Sequence, residues 1–292
     1  MKNSDPRLAG LALHNAAALH AALEFCAANR IGSFRISSSI LPLKTHPTVV
    51  DAIDELPGAD EIVSAFRCCG ELARDRYIPI RCPNSPHPGI VSRSIADIES
   101  QSEIAEWMRA DTANIHAGGV YGDKRTALDA FRRNLGLLSE FARPRLTVEN
   151  DDRNYTPADL LPICRSENLP LVYDVHHHHR CCADGLSIRQ ASTAARETWR
   201  WREPLFHLSN PIAGWKAPHP ERHRDYIDLA DFPKEWLKFA VTVEVEAKAK
   251  ELAVAHLAKG LAKSSLARTS QLMRTIAPTV TDRPAGFEST SC

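Results

Sequence analysis

Metal-capable side chains recur at one kind of place in this 292-residue chain, the end of a short apolar run. TANIH ends in His116 before Ala117, Gly118 and Gly119, and RLTVE ends in Glu149 before Asn150, Asp151 and Asp152. LPLVYD ends in Asp174 and is followed by four consecutive histidines, His176 to His179. LFH carries His207, and TVEVE ends in Glu246. Imidazole plus carboxylate is a donor set for zinc, manganese or iron, and a carboxylate can bridge two ions. Two-metal centres activate water and stabilise the leaving oxygen of a phosphodiester or related ester.

Each residue alone has an ordinary explanation. Glu149 and Asp174 could each cap a following helix, and the histidine run could be a solvated loop with one useful member. Five separate strand ends carrying the same chemistry make a shared metal centre the better account. His46, in LPLKTHP, and His223, in ERHRDYID, have no strand-end position and are read evenly. His14, His20, His219 and His256 read as surface residues. No GxSxG elbow is present, so no serine has the surroundings of an activated nucleophile.

The elements that must position these residues follow one pattern. Helical periodicity at Ala16–Asn29, Ser94–Arg109, Lys124–Glu140, Ala158–Ser166, Ser187–Trp201 and Ala247–Ala267 alternates with β-rich runs. Those runs are Gly32–Ser39, Thr112–Ala117, Pro144–Glu149, Leu169–Asp174, Leu205–Asn210 and Ala240–Glu246, with a weaker one at Tyr77–Arg81. Short, two-sided apolar strands between helices are the sequence form of a parallel sheet covered on both faces. Seven such strands suit a closed α/β barrel, and no GxGxxG or GxxxxGK[ST] turn follows any of them. In a barrel the loops at the carboxyl ends of the strands build the active site. The expected fold is therefore a (β/α)8 TIM-type barrel over residues 1–267, with an aperiodic, disordered tail at 268–292.

Composition narrows the class. Apolar content of 43% and charged content of 25% are globular averages. No segment has the length and apolarity of a membrane span, and the start is too polar for a secretory signal, so a cytoplasmic protein is expected. Eight cysteines, two pairs of them adjacent and none in a Cys-x-x-Cys spacing, are read as reduced thiols. Charge is balanced, 36 against 36, which is mild evidence against a nucleic-acid partner.

At RISSSILPLKTHP, NIHAGGVYGDK, LTVENDDRNYTPADLLPIC, PLVYDVHHHH and VEVEAKAKELA the chain resembles the UV damage endonuclease family, from about Asn15 to about Leu261. The resemblance implies a barrel related to endonuclease IV and the xylose isomerases. It implies two or three divalent metals, typically manganese, with zinc or magnesium as alternatives. It implies double-stranded DNA bearing UV photoproducts as the substrate of a monomeric enzyme, cut on the 5′ side of the lesion. His46, His116, Glu149, Asp174, His177, His207, His223 and Glu246 match metal-ligand positions, and Glu149, Asp174, His177 and Glu246 are the expected catalytic set. His177 is selected from its run by the family's Asp-x-x-His spacing.

Two departures stand out. The family's first strand should precede Asn15, where MKNSDPRLAGLALH does not supply it. After the third strand the family has a His-Pro-x-Gln-aromatic segment that probes the damaged duplex, whereas IPIRCPNSPHPGIVSRS passes directly into the next helix. His87 is accordingly read as a loop residue. These departures leave two rivals open: a barrel that keeps metals but acts on a small molecule, as hydrolase or isomerase, and an inactive paralogue.

Overall fold

The computed structural model describes residues 6–31, 33–35, 58–72, 75–80, 83–181, 185–200 and 202–263. His46 and the segment 268–292 lie outside them.

Seven parallel strands follow one another in sheet order: β1 (Ser33–Arg35), β2 (Asp75–Ile80), β3 (Thr112–His116), β4 (Leu146–Glu149), β5 (Leu171–Asp174), β6 (Leu205–Leu208) and β7 (Thr242–Val245). Helices α1 (Pro6–Ala28), α2 (Ala59–Leu72), α3 (Pro88–Trp107), α4 (Lys124–Leu135), α5 (Pro157–Glu167), α6 (Val175–Arg180), α7 (Ile188–Glu197) and α8 (Glu251–Lys263) connect or flank them. Edge strands β1 and β7 approach each other, so the sheet curls round towards itself. The architecture is a partial (β/α)8 barrel. Where the family's first strand was sought, the described residues from Pro6 form α1, and no strand precedes it among them.

Period-two alternation sorts the strand side chains. Ile115, Leu146, Val148, Leu171, Tyr173, Phe206 and Leu208 face the helices and join Phe131, Leu160 and Trp236 in the main core. The alternate positions carry Asn114, Thr147, Glu149, Asp174 and His207, all at most 2% exposed. Beneath Asp174 and His207, two residues earlier on the same strand faces, Val172 and Leu205 pack with Trp199. A second core seats Ala16, Leu19 and Leu23 of α1 against Ile62 and Phe66 of α2.

Local signals account for several helix starts. Thr156 and Ser187 open α5 and α7 with reciprocal capping boxes to Asp159 and Gln190, and Asp123 caps α4. The helix expected to start at Ser94 begins earlier, at Pro88, with exposed His87 as its N-cap and proline in its first turn. The helix expected from Ala247 begins only at Glu251. The ordinary alternative for the histidine run, a solvated loop, does not hold: residues 175–180 form α6, with His176 and His178 buried.

Candidate metal centre

Strand register explains why distant residues meet. His116 lies opposite Glu149 across β3–β4, Asp174 opposite His207 across β5–β6, and His207 opposite Glu244 across β6–β7. Glu246 follows β7 and its N–H donates to the Leu208 carbonyl at 2.9 Å. Among the described residues, three groups each bring ligand atoms within 4.8 Å of one another: His116–Glu149–His177, Glu149–Asp174–His207 and His207–Glu244–Glu246. They share Glu149 and His207, so they form one continuous centre in the barrel mouth.

Glu149 lies at its middle. Its Oε1 is 3.1 Å from His207 Nδ1 and 3.3 Å from His177 Nδ1, while Oε2 is 3.9 Å from His116 Nε2. Asn114 donates to Oε2 at 2.6 Å, and the Asn114 carbonyl oxygen in turn accepts from the Thr147 hydroxyl at 3.0 Å. That pair of bonds fixes which way the buried amide points.

Asp174 both caps α6 and faces the centre. Its Oδ1 accepts the His177 N–H at 2.8 Å as the N-cap of α6. Its Oδ2 faces His177 Nδ1 at 3.6 Å and His207 Nδ1 at 3.9 Å, and is buried without accepting a hydrogen bond. His177 Nδ1 donates to the Asn150 carbonyl at 2.8 Å, which in a neutral ring leaves the Nε2 lone pair available.

His207 is fully buried. Its Nδ1 faces Glu149, Asp174 and, at 3.6 Å, Glu246, and its Nε2 is 3.5 Å from Glu244. A carboxylate behind an imidazole orients the ring and raises its basicity, a role that suits Glu244. Sequence reasoning passed over Glu244, Asn114 and Thr147. The available signal was alternation, since each lies two residues before a selected strand-end residue and so shares its face.

His223 stands 3.7 Å from Glu246 through Nδ1, but belongs to none of the three groups. His87 is exposed at the start of α3. His14, His219 and His256 are exposed as expected, and His20 is half-buried beside Glu24.

Electrostatics match the geometry. Burial alone would raise the Glu149 carboxyl, but His207, His116 and His177 overcome it and hold the group well below the carboxylate range. Burial would lower His177, but Asp174 and Glu149 push it up to about 10. His207 is likewise raised against its burial by Glu149 and Glu244. Without metal, protons on these rings balance the carboxylates. Divalent cations fit the same place: the donors are convergent oxygens and imidazole nitrogens, and Asp174 Oδ2 and His116 Nδ1 are buried without hydrogen bonds.

Fold and site together define a parallel α/β barrel with a His/Asp/Glu centre able to hold divalent metal at the carboxyl ends of its strands. The UV-endonuclease UvdE family profile matches residues 2–274, and the chain belongs to that family. It is 34% identical over 254 residues to a UV DNA damage endonuclease of Bacillus cereus, covering 80% of this chain and 77% of that protein. Among solved structures, the fold is similar to SacUVDE (TM-score 0.77, 24% identity, 88% of this chain and 89% of that one). It is also similar to an endonuclease IV from Thermus thermophilus (TM-score 0.58, 17% identity, 84% of this chain and 95% of that one). No described helix is long and apolar enough to cross a membrane.

Proposed function

We propose that this protein is a metal-dependent DNA repair endonuclease that hydrolyses the phosphodiester on the 5′ side of UV photoproducts in double-stranded DNA. The observation that carries this reading is the convergence of Glu149, Asp174, His177, His207 and Glu246 in the barrel mouth of a chain from this family. The proposed ligands are His46, His116, Glu149, Asp174, His177, His207, His223 and Glu246, and the ions two or three manganese, with zinc or magnesium as alternatives. Bound there, such ions would supply Lewis-acid stabilisation of the phosphodiester and would lower the pKa of a water.

The chain's own residues prepare that chemistry. Glu149, tied by Asn114 at one oxygen, presents the other between His177 and His207. Asp174 spends one oxygen on the α6 cap and keeps the other facing the centre. Glu244 stands 3.5 Å from His207 Nε2, on the far side of the ring from Glu149. Residues 1–267 act as one domain, as a cytoplasmic monomer.

Nicking of a UV-irradiated plasmid with added manganese, beside an unirradiated control, tests the reading. Irradiation-dependent nicks that disappear in Glu149→Gln support it; equal results with and without Glu149 would sink it. A second reading, a metal barrel that acts on a small molecule, is favoured by one observation. Between β2 and α3 the chain has only RCPNSPH, with neither glutamine nor an aromatic residue.

A further inference from the structure

In the run of four consecutive histidines, His177 faces the carboxylates of Glu149 and Asp174. His178 Nδ1 is paired with the Tyr173 hydroxyl at 2.6 Å, and the His179 ring packs on Trp215 at 4.6 Å. His176 is 1% exposed and uses both ring nitrogens. Its Nε2 donates to the Pro220 carbonyl at 2.8 Å, and its Nδ1 accepts from the Ser209 hydroxyl at 2.8 Å. A carbonyl can only accept, so the proton sits on Nε2 and the neutral ring's Nδ1 is left as the acceptor.

Both partners belong to the β6–β7 connection. Ser209 directly follows β6, and Pro220 comes three residues before His223. The same ring packs on Trp215 at 4.9 Å and on His223 at 5.3 Å. The connection also closes on itself: Pro211 bridges His223, Ile212 N–H donates to the Arg222 carbonyl at 2.7 Å, and Arg224 N–H to the Asn210 carbonyl at 2.8 Å. His223 thus reaches Glu246 from a loop that one buried ring of α6 holds at its first residue, Ser209, and again at Pro220.

We infer that His176 is a positioning residue that fastens the β6–β7 loop and thereby sets His223 against Glu246. The inference rests on the proposed metal centre and concerns its His223 arm alone. It explains why a non-ligand histidine next to His177 is buried with both nitrogens engaged. After His223 the loop is tied by the Lys248 and Ala249 N–H groups, which donate to the Arg224 and Asp225 carbonyls at 3.0 and 3.1 Å; ahead of His223 it is His176 that holds the loop against α6.

Manganese titration of the full chain, followed by the electron paramagnetic resonance of the free ion, tests it. Variants His176→Phe, His176→Gln, Ser209→Ala, His223→Ala and the double variant His176→Phe/His223→Ala are compared, with circular dichroism as the folding control. His223→Ala should weaken the last-filled site about 10–100-fold, the usual cost of disturbing a ligand or its support. His176→Phe should match it, and the double variant should lose no more, because both changes act through one arm. His176→Gln, whose amide can still donate to Pro220, should recover part of the affinity. Ser209→Ala removes one anchor without touching the ring and should give a smaller loss, which keeps the test open if His176→Phe does not fold. No manganese binding by the unaltered chain would retire the metal-centre reading itself. Binding that is unaffected by Ser209→Ala and His176→Phe, independent addition of the two losses, or loss of every site in His176→Phe would overturn this inference while leaving that reading intact.

Discussion

Asp174 holds His177 twice: Oδ1 accepts its backbone N–H at 2.8 Å, while Oδ2 lies 3.6 Å from the Nδ1 of its ring. One carboxylate starts helix α6 and aims the first useful side chain of that helix at the centre. Helix capping and the proposed metal contact are therefore one geometric act here. Asp174→Ala should cost the cap, about 1 kcal/mol, as well as a metal contact. Asp174→Asn keeps a capping oxygen but loses the charge. Urea unfolding of the metal-free forms should thus rank Asn above Ala, with manganese affinity reduced in both.

Manganese should stabilise the folded chain. A ligand that binds only the native state contributes about 2.7 kcal/mol when present at about 100 times its Kd. A thermal melt with and without the ion should rise by several degrees, and Glu149→Gln should remove most of the rise. A full rise in Glu149→Gln would take Glu149 out of the centre.

The metal-free protein should lose stability at both ends of the pH scale. His177 is raised to about 10 when folded, so its contribution is complete below the unfolded value near 6.5 and fades as pH climbs through about 10. Glu149 is held well below its unfolded value near 4.3, so its contribution is present above that value and fades as pH falls below it. Urea midpoints of chelator-treated protein should peak between about pH 5 and 6.5. His177→Gln should flatten the alkaline limb. Because metal must displace the ring protons, apparent manganese affinity should climb with pH across the same range.

Asn114 should matter out of proportion to its distance from any ion. It donates to Glu149 Oε2 and is itself oriented by Thr147. Asn114→Ala should weaken manganese binding about 10–100-fold. Thr147→Val, which frees the amide to rotate, should do the same to a lesser degree. Unchanged titrations in folded samples of both variants would show that Glu149 needs no such support.

Discrimination between damaged and intact duplex should be weak. The β2–α3 connection lacks the Gln-aromatic pair implied by the family resemblance, and flipping a base out of the stack costs a few kcal/mol that a probe helps to offset. Binding should rest mainly on phosphate contacts and fall steeply with salt. The check is cleavage at one defined photolesion against the same undamaged duplex over a range of salt. A strong, salt-insensitive preference for the lesion would show that another loop does the probing.

Much of the clustering was legible in the sequence alone, because the polar residue that interrupts each apolar run stands at the strand's end or within one residue of it. His116, Glu149, Asp174, His207 and Glu246 follow from that rule, and the barrel follows from the alternation of strands with helices. What a linear reading leaves open is which residues share a face and which loop returns to the mouth. Glu244 and Asn114 look like ordinary strand interiors until register sets Glu244 beside His207 and Asn114 beside Thr147. The histidine run carries four equal letters. Only the turn of α6, begun at the Asp174 cap, sends His177 to the carboxylates, His176 to the β6–β7 loop and His178 to Tyr173. Spacing along a strand is a local property of the chain, whereas register between strands and the direction of a one-turn helix are settled by packing across the whole barrel.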